Sequence, residues 1–182
     1  MKKYKKLIAC LSIMAMILSQ SFCFAADFKE EAVAEYNPLT MTIEERLAWI
    51  EENVEAEFHA QGERFARSET LSTTTKTTVA SKKADDGTWL YDVGKLVTRV
   101  NYVCNSNLTA VEDWSTSTFT ATTLITNTIK DTNLTENRIS SSKVKLLYEA
   151  SFTRPEGVYY IEHVYTLNGD GSYSVAVHNF VM

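Results

Sequence analysis

The sequence predicts one α+β domain, an N-terminal amphipathic helix packed on an antiparallel meander of five or six strands. Three observations predict it. Apolar residues recur at helical spacing between Thr42 and Gln61. From Glu69 onward Thr, Val, Tyr, Phe and Ile dominate, and the apolar positions alternate with the period of a pleated strand. After Gly87 the turns are short, so successive strands pair with their sequence neighbours. An all-β sandwich or barrel with a peripheral helix is the alternative architecture.

The first 25 residues stand apart from that domain. Lys2, Lys3, Lys5 and Lys6 precede a largely apolar run, Leu7 to Leu18, and then a short polar stretch and small residues. That order describes a secretory signal peptide of bacterial form, and the run is too short for a stable membrane span. Cleavage after Ala25 puts Cys23 and Ala25 at the two specificity positions. A lipid anchor at Cys10 would leave only Leu7 to Ala9 as an apolar run, and Phe22 before Cys23 is too bulky for that motif. The sequence therefore predicts a secreted or extracytoplasmic protein, with residues 26–39 as an acidic leader segment and residues 40–182 as the folded domain.

Cleavage alters the charge and the cysteines. The 18 basic residues fall to fourteen against 23 acidic ones, a net charge of −9. Twelve of those acids lie between Asp27 and Glu69, which argues against nucleic acid or an anionic membrane surface as partner, since both favour a basic face. Cys104 is left as the only cysteine, so no internal disulfide framework is expected. At the end of a strand-like run it reads as a small buried apolar group rather than a nucleophile.

The helix begins at Thr42, which caps the first amides, with Glu45 completing a capping box. Ile43, Leu47, Ile50, Val54 and Phe58 form its apolar stripe. Glu44, Glu51, Glu52 and Glu55 read as its solvated face, Gly62 as its end, and His59 as a cation near its C-terminus. Ala84 to Gly87 forms a turn. Trp89, Tyr91 and Val93 share one parity and Leu96, Val100, Tyr102 and Cys104 the other, so a bulge is expected at Gly94. Phe119, Ala121, Ile125 and Ile129 make one further stripe, and Val144, Leu146, Tyr148, Ala150 and Phe152 another, before the turn at Arg154 to Gly157. Asn107 and Asn133, each in an Asn-Leu-Thr triplet, read as turn residues.

The stretch Tyr165 to Val175 places Asn168, Asp170 and Gly171 as in part of a calcium loop. A loop beginning at Thr166 would lack the first carboxylate and would hold Val177 where a bidentate Glu belongs, so no metal is expected there. The same residues fit a hairpin with Gly169, Asp170 and Gly171 as its three-residue loop. In that register Leu167 faces Tyr173, Tyr165 faces Val175, His163 faces Val177, and Glu162 faces His178. His163 and His178 then lie on opposite faces.

No catalytic constellation is evident in the motifs. The Glu162 and His178 pair is the nearest acid–base candidate, and a cross-strand charge pair is its plainer explanation. Asp113 and Trp114, read as lying between strands, could grip a sugar. No cofactor and no metal is called for. The functional expectation is an exported, non-catalytic binding or surface-interaction module for a protein or glycan ligand. The alternatives are a small secreted hydrolase using Glu162 and His178, and a proteinaceous inhibitor presenting a loop.

Overall fold

In the computed structural model, which describes residues 36–64 and 70–182, the chain is mostly antiparallel β-sheet with a single short helix among the described residues. The signal-peptide reading and nearly all of the acidic leader lie outside those residues. Residues Pro38–Met182 form one compact unit.

Helix α1 spans Ile43–Asn53. The capping box forms: Glu45 N donates to Thr42 Oγ1 at 3.3 Å, and Thr42 N donates to Glu45 Oε2 at 2.7 Å. Leu47 and Ile50 are buried, as the apolar stripe requires. The helix ends two turns earlier than its spacing predicts, and Ala56–His59 is instead strand β1. The last turn holds no basic residue, and Glu51, Glu52 and Glu55 gather where the helix dipole is negative. Pairing with the sheet gives the next backbone groups better partners. Phe58, the last member of the stripe, is therefore exposed. His59 belongs to β1 rather than to a helix end, stacked on Tyr173 at 4.4 Å.

Nine further strands follow: β2 (Glu63–Arg64), β3 (Thr70–Ser72), β4 (Lys76–Lys83), β5 (Trp89–Cys104), β6 (Val111–Thr123), β7 (Ile129–Ser140), β8 (Lys143–Arg154), β9 (Gly157–Asn168) and β10 (Tyr173–Val181). One sheet has the order β1-β10-β9-β8-β7, so β7 to β10 are a meander. In the other, β3 and β4 lie end to end along one side of β5, β6 pairs the opposite side, and β2 pairs antiparallel with the outer side of β3. Two sheets thus replace the expected single meander of five or six strands. The long β5 has apolar residues enough for a second inner face, and the sheets close over each other.

The core between the sheets holds Val93, Leu96, Val100 and Tyr102 from one side, and Val144, Leu146, Tyr148, Phe152, Ile161 and Tyr165 from the other, all fully buried. The opposite face of the β7–β10 sheet carries α1: Leu47 and Ile50 share a crevice with Val164 and Ala176. The bulge predicted at Gly94 is present as a register shift, with Ala80 opposite Gly94 and Ser81 opposite Asp92. Glycine is required there, because a Cβ would lie 2.3 Å from the Phe152 ring. Two sequence readings fail in this region. Ile125 and Ile129 do not continue the β6 stripe, for β6 stops at Thr123 and Ile129 opens β7, exposed. Asn133 sits inside β7, paired with Glu149, and not in a turn. Asn107 does lie in a turn, beside Leu108 with φ 53°.

The final hairpin has the predicted register: Leu167 opposite Tyr173, Tyr165 opposite Val175, His163 opposite Val177 and Glu162 opposite His178. Gly171 takes φ 83°, the left-handed conformation of a bulge loop. Asp170 Oδ1 accepts from Ser172 N at 2.8 Å, so its carboxylate closes the turn.

Candidate functional site

Glu149, Glu162 and His178 lie side by side on β8, β9 and β10, on the face that α1 covers. Two carboxylates directly opposite each other on neighbouring strands repel. Arg46 of α1 resolves that conflict, its Nη2 donating to Glu149 Oε2 and to Glu162 Oε1. His178 Nδ1 lies 3.0 Å from Glu162 Oε2. Both oxygens of Glu162 are thereby engaged, and the residue is fully buried. Trp49 from α1 and Phe180 from β10 flank the His178 ring at 5.3 and 4.6 Å.

The fold therefore brings the two sequence-level candidates together, inside an ion network beneath a helix. A general base has to come within hydrogen-bond reach of a substrate proton. Among the described residues a cleft of about 220 Å³ lies beside α1 and one of about 320 Å³ lies between β4 and β10, and the described linings of these two do not include Glu162 or His178. The network joins α1 to the sheet through a desolvated Arg–carboxylate contact.

The other candidates are spread through the structure. His163 is fully buried between the sheets, Nδ1 at 2.7 Å from Thr98 Oγ1 and Nε2 at 2.7 Å from Thr78 Oγ1. Burial, reinforced by Lys76, lowers its pKa to about 4, so the ring is neutral near pH 7. It is on the opposite face from His178. Cys104 is buried with Sγ 3.5 Å from the Asn168 carbonyl, and burial pushes the thiol up, away from thiolate chemistry. Asp113 and Trp114 are not between strands but within β6. The Arg138 guanidinium covers one face of the Trp114 ring at 4.7 Å.

A feature that sequence reasoning missed lies at one end of the sandwich. The strand register gathers Trp89, Leu90, Leu124, Ile129, Val181 and Met182 there, six of the ten large hydrophobic residues exposed among the described residues. Trp89 is 59% exposed and Ile129 72%. Beside them the Tyr91 hydroxyl and Arg154 Nε both donate to Glu156 Oε1 at 2.7 Å, holding the Glu156 carboxyl down to about 2. Trp89 and Tyr91 read as core residues because they alternate with Val93. Only the closeness of Trp89 to the Ala84–Gly87 turn hinted that it lies at the rim. Among the described residues no helix is long and apolar enough to cross a membrane. No family model matches the chain, and neither a curated protein nor a solved structure matches it.

Proposed function

We propose that this chain is an exported, non-catalytic binding module, and that its contact surface is the apolar end of the sandwich. The observation that carries the reading is the collection of Trp89, Leu90, Leu124, Ile129, Val181 and Met182 at that end. Exposed aromatic and aliphatic side chains at one end of a domain are the usual anchors of a protein or glycan contact. Export rests on the basic start and apolar run of the first 25 residues. The enclosure of Glu162 by Arg46 and His178 favours a structural part for that pair over an acid–base one.

The test is retention of ligands from a cell-envelope extract and from a glycan array, by the mature protein and by a Trp89→Ser, Ile129→Ser double variant. The reading expects a ligand retained by the first and lost by the second, with the thermal midpoint of the variant unchanged within a few degrees. A protein that stays bare in both assays, or a variant that binds as well as the parent, contradicts it.

A further inference from the structure

The two sheets meet along two seams, and they are finished differently. Along the β6–β7 seam, cationic side chains occupy the edge carbonyls: Lys130 Nζ donates to Ala121 O at 2.8 Å, and Arg138 Nη1 to Val111 O at 2.9 Å. Along the other seam β4 has no partner strand on the side away from β5 among the described residues. β10 is covered only in part, since β1 pairs with Tyr173–Ala176 and stops. Val177–Val181 continue the same edge with no paired strand among the described residues.

The hydrogen-bond phase of that edge follows from its end. Met182 N and O both bond to Val158, and antiparallel pairs alternate, so His178 and Phe180 also bond inward to β9. Val177, Asn179 and Val181 therefore direct their N–H and C=O groups away from β9, along the open edge. A cleft of about 320 Å³ lies between this edge and β4, with Val79, Ser81 and Lys83 on one wall and Tyr159, Asn179 and Val181 on the other. Tyr159 is 1% exposed, and its buried hydroxyl has no hydrogen-bond partner among the described residues. Burial raises its pKa, so the phenol stays protonated and able to donate. A buried hydroxyl without a partner costs free energy unless something else supplies one.

We propose that this cleft receives an extended acidic peptide segment of a partner protein, added as a strand along Val177–Val181 with an acceptor on the Tyr159 hydroxyl and a carboxylate on Lys83. β1 already covers the first half of the same edge in this way, so the added strand continues an existing ladder. Charge selects the occupant. Lys82 and Lys83 have no ion-pair partner among the described residues. Lysines at an edge discourage pairing with a second copy, which would bring the same lysines, and they attract an acidic chain. A lysine-protected edge alone does not account for the orphaned hydroxyl of Tyr159, a residue that lines the cleft. The proposal rests on the binding-module reading and names the chemical class of its partner.

The experiment pans a phage-displayed library of random twelve-residue peptides against the mature protein. The tightest synthetic peptide is then titrated calorimetrically against the parent, Asn179→Pro, Tyr159→Phe and Lys83→Glu proteins. Selected peptides are expected to be rich in Asp and Glu. Proline at position 179 removes an outward N–H and leaves the β9 ladder intact, so affinity should fall more than about tenfold. Tyr159→Phe, which keeps the packing, should weaken binding about fivefold, and Lys83→Glu should weaken it while raising no obstacle to folding. Absence of any binder, or binding indifferent to all three substitutions, overturns the proposal. Peptides lost only in the Trp89→Ser, Ile129→Ser variant overturn the edge site while leaving the binding-module reading standing. A parent dimer that becomes monomeric in Asn179→Pro assigns the edge to a second copy and also overturns the proposal.

Discussion

His163 is held as a neutral ring between two threonine hydroxyls in the fully buried space between the sheets. Its native pKa of about 4 lies below the ordinary 6.5. Near pH 7 neither the folded nor the unfolded chain protonates it. Between pH 6.5 and 4 the unfolded chain takes up the proton and the native one does not, so stability falls with pH across that window and levels off below it. Lys76 is the charged group facing it, and Thr78, Thr98 and Tyr165 complete its surroundings. The loss attributable to this ring is about 3 kcal/mol. Urea unfolding at pH 7, 5 and 4 should find a smaller decline in a His163→Gln protein than in the parent. Gly94 makes a second residue-scale prediction. Gly94→Ala should cost about 1–3 kcal/mol of unfolding free energy by overpacking against Phe152, and Phe152→Leu in the same chain should recover part of it. Both environments were partly legible: the parity switch in Trp89 to Cys104 marked Gly94, and the apolar parity of Tyr159 to Leu167 put His163 inward. The two threonines that hold the ring were not, for they come from strands 65 and 85 residues away.

At the scale of elements, α1 is joined to the sheet by Arg46, which reaches both Glu149 and Glu162. Arg46→Ala removes the guanidinium that the two facing carboxylates share in a desolvated site. The expected cost is about 3–5 kcal/mol, read by chemical denaturation. Substitution of Glu162 by Gln as well should recover part of that loss, because the repulsion goes with the charge. The final hairpin was readable to the residue because its period-two apolar pattern and its Gly-Asp-Gly loop demand the same register. β7 was not readable. Its sequence, Ile129 to Ser140, is almost wholly polar, with Leu134 half-buried, and it is a strand because β8 offers it a partner along its whole length. The end of α1 was misplaced for a related reason. Helical spacing persists through Val54 and Phe58, but the edge of β10 gives Ala56–His59 a ladder that no local pattern announces.

At the scale of the molecule, the sequence carried the sheet-dominated class and the helix on one face, while the pairing of two sheets depended on which long strands meet. Strand alternation puts the two histidines on opposite faces, α1 covers Glu162, and the strand ends leave Trp89 and Ile129 exposed. A binding protein and a Glu/His hydrolase respond oppositely to two changes. The most direct measurement compares Glu162→Gln with the Trp89→Ser, Ile129→Ser variant, reading ligand retention and the unfolding midpoint for each. The account predicts that Glu162→Gln lowers the midpoint and keeps the ligand, whereas the double variant keeps the midpoint and loses the ligand. Loss of a measurable activity in Glu162→Gln at unchanged stability, with the double variant behaving as the parent, would contradict it.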